Sequence, residues 1–352
     1  MKPAIVVFDE VFSQLNSFFE ERAYSKIFFF TDSNTHDLCF PIVLSELKTV
    51  WNQEVMEIPP GEDSKVIELV VEIWKTLSEL DADRNSLMVN LGGGVITDMG
   101  GFIASTFKRK IDFINIPTSL LAMVDAAIGG KTGIDLNGVK NLVGTFAEPQ
   151  MTFIYPEFLQ TLPKRDLISG LAEMLKHGLI QDKTHWNHLI QIENPDASNL
   201  QPFIRDSINI KKNIVENDPF ENGRRKILNF GHTIGHAVES EFMKTENHLL
   251  HGEAIAIGML VESILSFENE LISKEELDEI FTNLLRIFGK TPIDESIIPN
   301  LLVWMKHDKK NLTENISFSL LDSIGNCKEA IFQNEHQITE AIKIYNRKLQ
   351  NF

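Results

Sequence analysis

Four histidines, His232, His236, His248 and His251, fall within a span of twenty residues. His232 and His236 lie four apart in NFGHTIGHAVES (229–240), a stretch with helical spacing, and residues four apart on a helix share a face. Both could therefore face one metal ion. A catalytic zinc takes three protein ligands and keeps one position open. In the HExxH pattern a glutamate base stands between the histidines, but here Thr233, Ile234 and Gly235 intervene, so the spacing argues against a metalloprotease. Further ligands must come from elsewhere, with HGEAIAIGM (251–259) and the acidic segment SGLAEMLKHG (169–178) as candidates. The two cysteines, Cys39 and Cys327, are far apart, which argues against a disulfide framework or a thiolate zinc site. Any metal should be held by His and carboxylate. Spacing alone does not decide whether both histidines of the pair bind metal, one does, or neither.

Cations are the second chemical signal. The chain has 352 residues and a formal net charge of -17, which argues against general nucleic-acid affinity but leaves room for a small anion in a local basic pocket. Lys131 and Lys140 sit in the glycine-rich run GGKTGIDLNGVKNLVG (129–144), too apolar a setting for a solvated face. Lys176 follows Glu173 by one turn, and Lys211, Arg224 and Arg225 precede His232. Cations gathered near a metal suit a phosphorylated substrate, with or without a carboxylate.

The third signal is LMVNLGGGVITDMGGF (87–102), a strand, a glycine loop and a small-residue helix. Glycines let the backbone approach a pyrophosphate, and a helix N-terminus offers N–H groups. Alone, G-x-G-x-x-T reads equally well as a tight turn. Asp32, at the end of FFFTD (28–32), could accept hydrogen bonds from a ribose diol or cap a helix. It precedes the glycine loop, whereas the acid of the common dinucleotide fold follows it. PPGEDSK (59–65) forms another turn before a helix.

These groups need a frame. Apolar runs at 5–8, 27–31, 87–91, 112–116 and 151–155, with a helical pattern over 64–80, predict parallel βα units and an open α/β sheet. After residue 160 the pattern turns helical, over 164–180, 203–216, 231–240, 252–270 and 274–288, with a hairpin expected from 316–321 and 329–332. The expected fold is an N-terminal Rossmann-like α/β domain (1–160) followed by a mostly α-helical C-terminal domain (161–352), with a cleft between them. The N-terminal apolar run is too short for a signal peptide, and no segment approaches the roughly 20 apolar residues of a membrane span. The cytoplasm is expected.

Taken together, PPGEDSK (59–65), LGGGVITDMGGF (91–102), IPTSLLAMVDAAIGGKTGID (116–135), KNLVG (140–144), LAEMLKHG (171–178), NFGHTIGHA (229–237), LLHGEAIAIGM (249–259) and HDKK (307–310) resemble the 3-dehydroquinate synthase family of sugar-phosphate cyclases over nearly the whole chain. The resemblance implies a homodimer using NAD and Zn2+ or Co2+. The implied reaction converts 3-deoxy-D-arabino-heptulosonate 7-phosphate to 3-dehydroquinate and phosphate through transient oxidation, phosphate elimination, re-reduction, ring opening and aldol closure. It implies Glu173, His232 and His251 as metal ligands, which moves His236 to the phosphate side of the substrate. Lys131 and Asn141 are implied phosphate contacts, as is Arg109 across a dimer interface. Asp125, Lys176, Lys211, Arg225 and Asn229 would hold hydroxyls and carboxylate, and Lys309 or Lys310 would close the site. The cofactor would be held by Asp32, Asn34, Glu62, Lys65, Gly93, Gly94, Asp98, Thr118, Ser119, Lys131, Lys140, Phe158 and Thr161. Gly231 and Gly235 are expected to keep the histidine face clear for a bulky substrate.

The chain departs from the family pattern at Thr97, where many relatives carry Gly, and at Ser119, where many carry Thr. At the third position, Arg224 replaces a usual apolar residue. Competing readings are a cyclase for a substrate lacking the carboxylate, a metal-dependent polyol dehydrogenase that would release NADH, and a catalytically silent nucleotide-binding protein. Lys211, Arg225, Asn229 and His236 together favour the carboxylated substrate.

Overall fold

The computed structural model describes residues 4–48, 52–137, 139–243, 248–308 and 315–351. Lys309 and Lys310 lie outside them. Chain contacts form two compact units, Met1–Pro163 and Lys164–Phe352.

The first unit is built on a six-stranded, all-parallel sheet. Its strands are β1 (Ile5–Val7), β2 (Ile27–Asp32), β3 (Gln53–Ile58), β4 (Leu87–Gly92), β5 (Asp112–Pro117) and β8 (Met151–Phe153), in the order β1-β8-β5-β4-β2-β3. β4 is buried at every position and β2 at all but its last. That is why both read as unbroken apolar runs, since helices cover both faces of a parallel sheet. The helices are α1 (Val11–Arg22), α2 (Ser33–Leu38), α3 (Phe40–Glu46), α4 (Ile67–Glu79) and α5 (Gly94–Thr106). Phe28, Phe30, Met88, Val70, Leu77 and Ile103 belong to one apolar core cluster. Among the strands, two features escaped the sequence reading, which also gave no helix for 11–22, 33–46, 183–190, 298–308 or 335–351. β3 lies at the sheet edge, with Glu54 and Glu57 interrupting its apolar residues. The glycine-rich run folds as an antiparallel hairpin of β6 (Lys131–Leu136) and β7 (Val139–Phe146).

The second unit is helical: α6 (Lys164–Gln181), α7 (Lys183–Ile190), α8 (Ala197–Asn217), α9 (His232–Phe242), α10 (His251–Glu268), α11 (Lys274–Phe288), α12 (Ile298–Asp308) and α13 (Glu335–Asn351). It also holds the expected hairpin, β9 (Ile316–Ser323) and β10 (Asn326–Gln333), longer than its apolar runs implied. α10 is apolar nearly all round, the mark of a core helix, and it packs against α6, α9, α11 and α13.

Candidate metal and substrate site

Three helices of the second unit bring their polar residues together because glycines let them approach. A Cβ on Gly252 would sit 1.9 Å from the Ser169 carbonyl oxygen of α6, and one on Gly258 would sit 1.9 Å from the carbonyl oxygen of Gly231. Gly231 turns the chain into α9 with φ +80, a conformation that favours glycine. A Cβ on Gly235 would meet Ile255 and the Ala254 carbonyl. The two glycines before the histidines therefore serve helix packing, which corrects the expectation that they clear a face for substrate. From α10, the fully buried Glu262 accepts the N–H groups of Gly231 (2.7 Å) and Ile234 (3.1 Å). It satisfies donors that the start of α9 leaves open.

This frame sets three side chains face to face. The Nε2 atoms of His232 and His251 each lie 3.6 Å from Oε1 of Glu173. The opposite nitrogens are occupied: His232 Nδ1 is 3.2 Å from the Phe230 carbonyl and His251 Nδ1 is 3.3 Å from Glu239. A carbonyl can only accept, so His232 Nδ1 carries the hydrogen and its Nε2 presents a lone pair toward Glu173. An outer acceptor that fixes the tautomer is the usual support of a metal-binding histidine. Glu173 is 0% exposed and neither carboxylate oxygen accepts a hydrogen bond, although the Lys176 ammonium lies against Oε2. Lys176 compensates one side of this buried carboxylate; its other oxygen, facing two aligned imidazoles, fits a divalent cation.

The electrostatics agree. Burial opposes ionisation of Glu173, but Lys176 and the two histidines hold its pKa well below the usual carboxylate range. Burial, reinforced by Lys176, pushes His232 well below its ordinary value, toward the neutral form that ligates metal. Burial also opposes charge on His251, but Glu239 and Glu173 outweigh it and raise the pKa to about 10. A metal would displace that proton. His236 lies one turn along α9, its ring centroid 5.0 Å from that of His232 and 5.8 Å from that of His251. Ligand atoms of the three histidines also lie within 4.8 Å of one another, so a histidine trio is a geometric rival to the set containing Glu173.

The expected substrate residues of the same unit sit on three elements, Lys176 on α6, Lys211 on α8 and Arg225 and Asn229 on the turn before α9. Lys176 and Lys211 are buried. Arg225 and Asn229 lie on a short 3-10 turn, Arg224–Asn229. Asp218 organises the loop before it, accepting the N–H groups of Asn222, Gly223 and Arg225. Arg225 is buried and donates from Nη1 to the Pro219 carbonyl at 2.6 Å. The sequence reading missed Glu221, whose carboxylate accepts a hydrogen bond from Asn229 Nδ2 at 2.6 Å. The left-handed backbone of Glu221 (φ 58) is visible only in the fold, so the sequence carried no signal for it.

In the first unit, Lys65 is buried and donates to Asp98 Oδ2 and to Asn141 Oδ1, both at 2.7 Å. Lys140 pairs with Glu62 at 3.3 Å. Glu62 also acts electrostatically on Lys65, which links the expected residues Glu62, Lys65, Asp98, Lys140 and Asn141. Gly93 caps α5 and Gly94 begins it. The Thr118 N–H bonds the Gly92 carbonyl, and Ser119 Oγ accepts the N–H of Ala122. Asp32 caps α2, which contains Asn34, by accepting the Thr35 N–H at 3.0 Å. Phe158 and Thr161 share a 3-10 turn. Asp125 lies in the turn Ala122–Ala126. Lys131 begins β6 exposed, against the expectation that its glycine-rich neighbours would bury it. Arg109 is the middle of three successive residues with positive φ, Lys108 (46), Arg109 (68) and Lys110 (101), a strained turn.

Comparison with known proteins gives the chain's family. Residues 55–169 match the model of the 3-dehydroquinate synthase N-terminal family, and 170–311 match the C-terminal one. The chain is 40% identical to the 3-dehydroquinate synthase of Parabacteroides distasonis over 343 residues, 97% of each chain. A 2-deoxy-scyllo-inosose synthase solved with carbaglucose-6-phosphate, NAD+ and Co2+ shares the fold at TM-score 0.86 and 23% identity, over 97% of this chain and 99% of that one. The 2-epi-5-epi-valiolone synthase of Streptomyces hygroscopicus, solved with NAD+ and Zn2+, does so at 0.82 and 24%, over 99% and 98%. Matched along both units and nearly end to end by a curated relative, the chain belongs to the 3-dehydroquinate synthase family.

Proposed function

We propose that this chain converts 3-deoxy-D-arabino-heptulosonate 7-phosphate to 3-dehydroquinate and phosphate, with NAD and a divalent metal, Zn2+ or Co2+, as resident cofactors. The observation that carries the proposal is the convergence of His232 and His251 on Glu173, each with its second nitrogen already engaged. Those three residues would hold the metal. When bound, NAD would accept and return a hydride, and the metal would acidify the hydroxyl being oxidised.

The chain's own residues orient the substrate and compensate its charge. Lys131, Asn141 and His236 hold the phosphate, whose own oxygen takes the proton from the neighbouring carbon as it leaves. Asp125, Lys176, Lys211, Arg225 and Asn229 hold hydroxyls and carboxylate. Glu221, against Asn229, fixes the orientation of that amide. Asp32, Asn34, Glu62, Lys65, Gly93, Gly94, Asp98, Thr118, Ser119, Lys140, Phe158 and Thr161 would hold NAD, with Lys65 set by its pairing to Asp98. The proposal includes a homodimer in which Arg109 serves the partner's phosphate site, and a cytoplasmic location. Among the described residues, no helix is long and apolar enough to cross a membrane.

The test is to incubate the purified protein with the heptulosonate phosphate, catalytic NAD and zinc, and to follow phosphate and dehydroquinate. Equal yields of both with no free NADH are expected. Free NADH accumulating with turnover, or phosphate released without dehydroquinate, would overturn the reading.

A further inference from the structure

Arg224, on the turn that presents Arg225 and Asn229, is held by several partners. Its Nη1 donates to the Cys327 carbonyl, and its Nη2 donates to Gln181 Oε1 and Asn326 Oδ1, both at 3.2 Å. Glu329 lies 3.6 Å from Nη1. One guanidinium thus joins the 3-10 turn to the end of α6 and to β10. The ladder of β9 and β10 is irregular at Asn326 and Cys327, and such bulges re-aim backbone groups. A six-residue 3-10 turn has poor internal hydrogen bonding, so outside ties decide its position. Asp218 holds its start and Ser319 Oγ bonds the Lys226 carbonyl at 2.7 Å. Arg224 is the charged tie next to Arg225.

We infer that Arg224 is a positioning residue, clamping the Arg224–Asn229 turn to the β9–β10 hairpin so that Arg225 and Asn229 meet the substrate's carboxylate and hydroxyls. The inference rests on the proposed reaction and adds a residue that never touches the substrate.

The experiment uses the zinc- and NAD-loaded enzyme and compares wild type, Arg224→Leu and Arg224→Lys. It reads KM and kcat for the heptulosonate phosphate, Ki for inorganic phosphate and the thermal midpoint. Arg224→Leu should raise KM about fivefold, the order set by one lost hydrogen bond's positioning. Ki for phosphate should stay unchanged, because the phosphate contacts lie on other elements. Arg224→Lys should recover part of the loss. Wild-type KM in Arg224→Leu overturns the inference, whatever its thermal midpoint. So does a rise in KM matched by an equal rise in phosphate Ki, which marks general damage. If Arg224→Leu does not fold, Asn326→Ala removes one partner and should raise KM in the same direction; an unchanged KM there is equally fatal. If wild type makes no dehydroquinate, the reaction assignment falls first. If wild type turns over and the variants match it, only the role of Arg224 falls.

Discussion

Glu262 accepts the backbone N–H of Gly231 at 2.7 Å across 31 residues of sequence, so the turn that starts the His232 helix is fixed by a buried carboxylate on the next helix. Its second oxygen takes the Ile234 N–H. In Glu262→Ala both donors lose their partner inside the core. An unsatisfied buried donor costs about 1–3 kcal/mol, and a unit of this size loses roughly 2–4 °C of thermal midpoint per kcal/mol, so the midpoint should fall by several degrees. Zinc affinity should weaken with it, because His232 is the next residue after Gly231. A midpoint within error of wild type would show that water replaces the carboxylate at no cost.

The metal ligands can be separated by content rather than activity. Glu173→Gln and His251→Ala should both purify with little zinc, and His236→Ala should keep a full equivalent while losing turnover. If His236→Ala loses the metal and Glu173→Gln keeps it, the three histidines are the ligands and the carboxylate is not. Chelation should also lower the thermal midpoint reversibly, since a ligand at a hundred times its dissociation constant stabilises by about 2.7 kcal/mol. A midpoint indifferent to chelator and zinc would argue against a resident ion.

Close approach gives a third prediction. A Cβ on Gly252 would lie 1.9 Å from the Ser169 carbonyl, and backbone cannot rotate away as a side chain can. Gly252→Ala must push α10 from α6, and overpacking of this kind costs about 1–3 kcal/mol. Because Glu173 and His251 ride on those two helices, zinc content should drop further than stability alone implies. Full zinc occupancy in a soluble Gly252→Ala would mean that the helices adjust without moving the ligands.

What could be read in advance follows from the range of the signal. β2 and β4 were legible because both their faces are buried, and α4 because its apolar residues keep a helical period. β3 was hidden by charges at an edge. The β6–β7 hairpin was hidden by glycines, whose usual meaning is a loop. In the site, His232, His251 and Glu173 stood in recognisable motifs. Their supports did not: Glu239, Glu262 and Glu221 act through partners such as those 12, 31 and 8 residues away. Nothing in local composition separates such a carboxylate from one on a solvated face.

The last prediction concerns Asp135, which ends a quoted motif but was given no role in the site. Its Oδ1 accepts the Asn141 N–H at 2.7 Å, while Lys65 donates to Asn141 Oδ1 at 2.7 Å. Asn141 has φ 51, and a left-handed backbone costs an L-residue roughly 1–2 kcal/mol unless something holds it, though Asn tolerates it better than most. Asp135 holds the main chain and Lys65 holds the side-chain oxygen, which leaves the amide N–H2 as the group to meet a phosphate. Asp135→Ala should release the backbone and raise Ki for inorganic phosphate about fivefold, the loss of one well-placed hydrogen bond. NAD affinity should change less, because the Asp135 N–H to Lys65 carbonyl bond (2.8 Å) survives the substitution. Asn141→Gly is the control, since it accepts the left-handed backbone but has no amide to offer. It should weaken phosphate at least as much as Asp135→Ala without lowering the thermal midpoint as far. If Asn141→Gly binds phosphate normally, Asn141 is not a phosphate contact. If only Asp135→Ala binds it normally, Lys65 alone suffices to aim the amide.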